Sequence, residues 1–255
     1  MRTWKMGIAA WVMTACLHRP PLPQEATATL YDTPTHTDAL IYQGTVHPRT
    51  MEKSPLYRYE RRVSVTEDNV RSVHTTFSLS GEPVVRHQAD HTFTYTLRAF
   101  QEIHAQTGLV GRVDVAPDGT ATYQTTTGGR THIRVEAPGE SLQVGPTLFG
   151  FALEHWDELV AREDVPFRFV VLEKQRSYRF VLRKVDGPEG TLTLEMTPTS
   201  WFVALGVPRS YLVFDEDSRT ILRYIGLVPP RDTTSRRHKP LDATVIYMHT
   251  GTVYR

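Results

Sequence analysis

The sequence predicts a mainly β protein, either a strongly curved antiparallel sheet or an incomplete β-barrel, with one amphipathic helix packed against it. Three observations predict it. Apolar and polar residues alternate in many short runs. Turn-forming pairs separate those runs at roughly ten-residue spacing. A single segment, Pro146 to Ala161, has the three-and-four spacing of a helix instead.

The clearest alternation lies at 92–99, with Phe93, Tyr95, Leu97 and Ala99 on one face and Thr92, Thr94, Thr96 and Arg98 on the other. Residues 57–65 place Tyr57, Tyr59, Val63 and Val65 together, and 191–196 place Leu192, Leu194 and Met196 together. Such a period means strands with one buried and one wet face. Less regular runs occur near 40–47, 70–79, 109–115, 120–126, 131–136, 166–172, 177–185, 209–214, 220–226 and 243–249. Between them stand Ser80-Gly81, Asp118-Gly119, Gly128-Gly129, Pro138-Gly139, Asp186-Gly187 and the polar stretch Asp215 to Arg219. In the helix, Leu148, Phe149, Ala152, Leu153, Trp156, Leu159 and Val160 form the apolar side, and Pro146 suits the first turn. Trp201 to Val207, bounded by Pro198 and Pro208, is a short helix or a loop. Residues 40–255 form a single β-rich domain, with a possible subdivision near 137–145.

Forty per cent apolar and 10% aromatic residues exclude disorder, collagen and coiled coil. Twenty-nine basic against 28 acidic side chains give a formal charge of +1, so no global field attracts nucleic acid.

The N-terminus reads as a targeting segment. Arg2 and Lys5 precede an apolar run from Met6 to Met13, too short for the roughly 20 residues of a membrane-spanning helix. This is the pattern of a secretory signal over 1–15. It ends at Met13-Thr14-Ala15-Cys16, and Cys16 is the only cysteine in the chain. A body without thiols suits an oxidising compartment. The segment resembles the lipobox of bacterial lipoproteins, although Met13 replaces the usual leucine. The resemblance implies acyl chains on Cys16 and a membrane anchor through them. Leu17 is not the aspartate that holds many such proteins in the inner membrane, so a periplasm-facing outer-membrane location is implied. Residues 16–39, with Pro20, Pro21 and Pro23, then read as an extended tether.

The stretches GPTLFGFALEHWDELV, VPFRFVVLEKQRSYRFVLRKV and RSYLVFDEDSRTILRYIG, spanning about 145–228, resemble the LolA/LolB-like lipoprotein carriers and uncharacterised periplasmic proteins of similar build. In the latter, the strands end in a Tyr-x-Gly turn, here Tyr224-Ile225-Gly226. The carrier resemblance implies a concave apolar face that receives acyl chains. It also implies a protruding apolar loop that helps deliver them, a role for Trp201, Phe202, Val203, Leu205 and Val207, whose own composition suits core packing or a lid over one end of the sheet.

No thiol remains after Cys16, and no nucleophile elbow, phosphate loop or HExxH motif occurs. No cofactor, metal or catalytic residue is expected. His87 and His91 flank Asp90, but on a strand they stand about 13 Å apart, too far for one ion. Glu154 and Glu158 read as the wet side of the helix. Asp114, Asp118 and Gly119 lack a calcium loop's ligands at Ala116 and Thr125. Asp215, Glu216 and Asp217 suit a solvated hairpin loop. Arg231, Arg236, Arg237, His238 and Lys239 form the concentrated positive patch, which could meet anionic lipid or be a solvated loop.

These readings lead to an envelope lipoprotein that binds a lipid or other hydrophobic ligand without catalysis. Candidate ligand-facing residues are Phe93, Tyr95, Leu97, Trp156, Trp201 and Phe202. Two alternatives stand beside it. One is a scaffold or assembly factor that meets envelope proteins through a sheet edge. The other is an unrecognised hydrolase, which would show a polar cleft where histidine and carboxylate side chains converge.

Overall fold

The structure, a computed structural model, describes residues 22–32, 38–50, 54–233 and 239–250. A short helix, α1 (Gln24–Leu30), precedes the strands β1 (Ala39–Pro48), β2 (Tyr57–Val65), β3 (Val70–Phe77) and β4 (Pro83–His91). Next come β5 (Leu97–His104), β6 (Leu109–Val115), β7 (Ala121–Thr127), β8 (Arg130–Glu136) and β9 (Leu142–Gln143). Helices α2 (Gly145–Glu154) and α3 (Trp156–Val160) follow, then β10 (Val165–Val171), a 3-10 turn (Leu172–Lys174), β11 (Arg176–Val185) and β12 (Thr191–Pro198). Helix α4 (Trp201–Ala204), β13 (Ser210–Asp215), β14 (Ile221–Arg231) and β15 (Pro240–His249) complete the described chain.

All fifteen strands belong to one curved, open sheet ordered β8-β7-β6-β5-β4-β3-β2-β1-β15-β14-β13-β12-β11-β10-β9. The chain enters at the middle, on β1, and meanders out to one edge at β8. The connection 137–141 then carries it to the opposite edge, where β9 pairs in parallel with β10. From there an antiparallel meander returns to the middle, so that β15 pairs with the other side of β1. So short a connection between opposite edges requires the sheet to curl until they approach one another. The hydrogen-bond ladder does not close; side chains bridge the gap. Glu136 on β8 accepts hydrogen bonds from the Ser177 amide at 2.9 Å, the Ser177 hydroxyl at 2.7 Å and the buried Tyr123 hydroxyl at 2.6 Å. Arg168 donates to the Ala137 carbonyl, and Gln175 to that of His132.

The largest buried cluster draws on Tyr42 and Tyr59 from one half, Phe214 and Val245 from the other, and Phe149 and Trp156 from the helices. Strands from both sides of 137–145 thus contribute to one sheet and one buried cluster.

Several expectations are corrected. Residues 92–99 are not one strand. Thr92 to Thr96 make the turn between β4 and β5, closed by the Thr96 amide donating to the Thr92 hydroxyl at 3.1 Å, with Tyr95 left-handed at φ 53°. The Thr92 hydroxyl, part of the pattern that suggested a wet strand face, instead satisfies turn backbone. Pro83–His91, assigned to no strand by its pattern, is β4. The expected single helix bends at His155 into α2 and α3; Phe151 meets Phe167 on β10 and Trp156 meets Phe214 on β13. Gly226 lies inside β14 rather than at a turn, with φ 153°, where a β-carbon would stand 2.2 Å from the Ser210 hydroxyl oxygen. Within the tether, Gln24–Leu30 is helical and packs Ala26 and Leu30 against Ile103.

Candidate functional site

Helix α2 lies in the sheet's concavity because it is apolar all round: every residue from Pro146 to Ala152 is buried. The Val144 amide donates to the Thr147 hydroxyl at 3.1 Å, which secures its first turn. Helix and sheet do not fill the space between them. Two of the cavities left between them are of about 350 Å³ and about 270 Å³, and Phe149 contributes to the walls of both.

The larger cavity has mainly apolar walls, among them Leu148, Phe149, Val170, Val228 and Val245. One wall differs. Cross-strand register aligns His74 on β3, His87 on β4 and Glu102 on β5. His104 lies two residues beyond Glu102 and also faces the cavity. His74 Nδ1 shares a hydrogen bond with the Tyr59 hydroxyl. His104 Nε2 donates to the Pro229 carbonyl at 3.0 Å. His87 Nε2 stands 3.7 Å from the Glu102 carboxylate. His74 Nε2, His87 Nε2, His104 Nδ1 and Arg231 Nε are buried without a hydrogen-bond partner.

Burial holds His74 well below the usual histidine range and lowers His104 to about 4, partly offset by Glu102 and the Pro229 carbonyl. Both rings are neutral at pH 7. Burial would raise the Glu102 carboxyl, yet His87, His104 and Arg231 outweigh it and hold the carboxyl below its usual value.

A directed chain of hydrogen bonds runs beside the smaller cavity, which Arg61, Tyr42 and His91 line. Arg61, 9% exposed, donates to the Tyr42 hydroxyl at 2.7 Å and to the Ser72 hydroxyl at 3.2 Å. His91 Nδ1 donates to the Thr92 carbonyl at 2.7 Å, so His91 Nε2 accepts from the Ser72 hydroxyl at 3.0 Å. Burial lowers His91 to about 4 and keeps this direction at neutral pH.

The expected site residues scatter. Phe93 and Tyr95 line the smaller cavity. Leu97 belongs to a second buried cluster, and Trp156 is buried against Phe214 beneath the Arg219 guanidinium; neither lines either of these two cavities. Trp201 and Phe202, 64% and 68% exposed, stack on one another on α4 and line neither cavity. Arg231 is not a free surface cation: it pairs with Glu173 at 2.8 Å and lines the larger cavity. Lys239 is exposed, and its carbonyl accepts from the Asp232 amide. Cys16, Arg236 and Arg237 lie outside the described residues.

His87 and His91 face different cavities. Among the described residues, no group of three or more His, Cys, Asp or Glu side chains is arranged to hold a metal ion. Glu154 and Glu158 are exposed, and Asp118 and Asp215 cap their turns through the Thr120 and Ser218 amides.

No family model, curated protein or solved structure matches this chain. Sequence reasoning passed over Arg61, His74, Glu102 and His104, yet a signal for Arg61 exists. It occupies the inward phase of β2, between Tyr59 and Val63, where a charge needs a reason.

Proposed function

We propose that this chain is an envelope lipoprotein, anchored through Cys16 at the periplasmic face of the outer membrane, that holds a lipid-like amphiphile between sheet and helix without catalysis. The supporting observation is the cavity of about 350 Å³ beside α2, apolar on most sides and lined on one wall by His74, His87, Glu102 and His104. Its size is that of small-molecule sites, which run from about 300 to 1,000 Å³. Such sites combine apolar walls with a few polar groups that orient the ligand, as here. A scaffold working through its sheet edge needs no such interior.

The test is organic extraction and mass spectrometry of the purified Cys16→Ala chain, in which no covalent acyl group confuses the result. Stoichiometric lipid is the expected outcome. A lipid-free chain that also fails to take up added fatty acid overturns the reading.

One observation favours hydrolysis instead: His87 and Glu102 stand 3.7 Å apart in a wall shared with two further histidines. That wall contains no serine or cysteine, so a hydrolase here would activate water. Turnover of short-chain aryl esters, abolished by His87→Gln, distinguishes it from a carrier.

A further inference from the structure

The proposed amphiphile binding leaves Arg61 unexplained. Two of its guanidinium N–H groups meet the Tyr42 and Ser72 hydroxyls, and its buried Nε has no partner. The Tyr42 ring lies 5.4 Å from the guanidinium carbon. None of these partners carries a negative charge. Arginine stays protonated inside proteins, and a buried charge without a counter-ion is strongly unfavourable. A guanidinium offers a fork of donors suited to a carboxylate or phosphate.

The space beside Arg61 suits such a partner. None of the residues lining the cavity of about 270 Å³ is acidic, and the other cation there, Arg219, carries a positive charge as well. Most of the remaining wall is apolar, including Ile41, Val63, Val70 and Leu153. Exposed Phe93 and Val65 mark its outer side. A buried cation among apolar walls matches a molecule with an apolar chain and one anionic end.

We propose that the smaller cavity is an anion-headed amphiphile subsite, in which Arg61, steadied by Tyr42 and Ser72, binds a carboxylate or phosphate monoester while the apolar walls hold the chain. This rests on the amphiphile-binding reading and specifies the charge of the ligand.

The experiment is isothermal titration of the full Cys16→Ala chain with laurate, dodecyl phosphate and 1-dodecanol. Laurate, dodecyl phosphate or both are expected to bind at least tenfold tighter than dodecanol. Arg61→Gln is expected to abolish that preference while dodecanol affinity stays unchanged. Equal affinity for all three, or a preference that survives Arg61→Gln, overturns the subsite and leaves amphiphile binding intact. Binding of none of the three overturns both. Should Arg61→Gln fail to fold, photocrosslinking of the unsubstituted site with a diazirine-tailed laurate decides. Adducts on Val63, Val70 or Leu153 are expected, and adducts confined to the larger cavity overturn it.

Discussion

The ring of Tyr95 rests so closely on Gly150 that a β-carbon at Gly150 would stand 1.8 Å from Tyr95 Cε1. The turn between β4 and β5 thereby packs directly on the backbone of α2. Gly150→Ala gains about 1 kcal/mol of helix propensity, but the displaced ring outweighs it. A net loss of about 1–3 kcal/mol is expected in urea denaturation, as for an overpacked core. Tyr95→Ser should remove most of that loss in the double variant. A Gly150→Ala chain as stable as the parent refutes the contact.

Acidification should destabilise the fold through the buried histidines. His91 and His104 titrate at about 4 in the folded chain, against 6.5 when unperturbed. Between those values the unfolded chain binds more protons, so stability present above about pH 6.5 is lost as pH falls toward 4. Each ring contributes up to about 3 kcal/mol to that loss. Thermal melting from pH 7.5 to 4.5 measures it, and the double variant His91→Asn, His104→Asn should show a shallower dependence.

Glu136 bridges the two facing edges of the sheet, so its removal should open them. Glu136→Ala strands the buried Tyr123 hydroxyl and the Ser177 amide. The Ser177 hydroxyl also loses its acceptor, and a loss of about 2–4 kcal/mol is expected from the three abandoned donors. Hydrogen exchange should accelerate in 130–136 before it does in β1 or β15, which are paired on both sides. Uniform acceleration across the sheet would count against a local bridge.

Trp201, Phe202 and Leu205 expose apolar surface together, at 64%, 68% and 77%. If they contact lipid as proposed for the carrier-like loop, Trp201→Ser with Phe202→Ser should weaken binding of the Cys16→Ala chain to phosphatidylethanolamine–phosphatidylglycerol vesicles about tenfold, near 1.4 kcal/mol. The melting temperature should hardly move, because surface changes stay within about 0.5 kcal/mol. Undiminished vesicle binding removes the loop from membrane contact.

The amino-acid pattern by itself determined the strand-rich architecture and the place of α2. The alternation in β2 and β12 and the apolar spacing after Pro146 are local properties of the chain, and local sterics and burial suffice to read them. Only tertiary structure decided the sheet order, with first and last strands adjacent at its middle, and the convergence of Arg61, Tyr42, Ser72 and His91. Those depend on pairing between residues far apart in sequence. The 92–99 alternation misled for the same reason: threonine hydroxyls can satisfy a turn as readily as face water, and the decision lies with Tyr95 packing on Gly150. Cavities are further from the sequence still, since they are the volume left when a helix and a curved sheet meet and do not interlock.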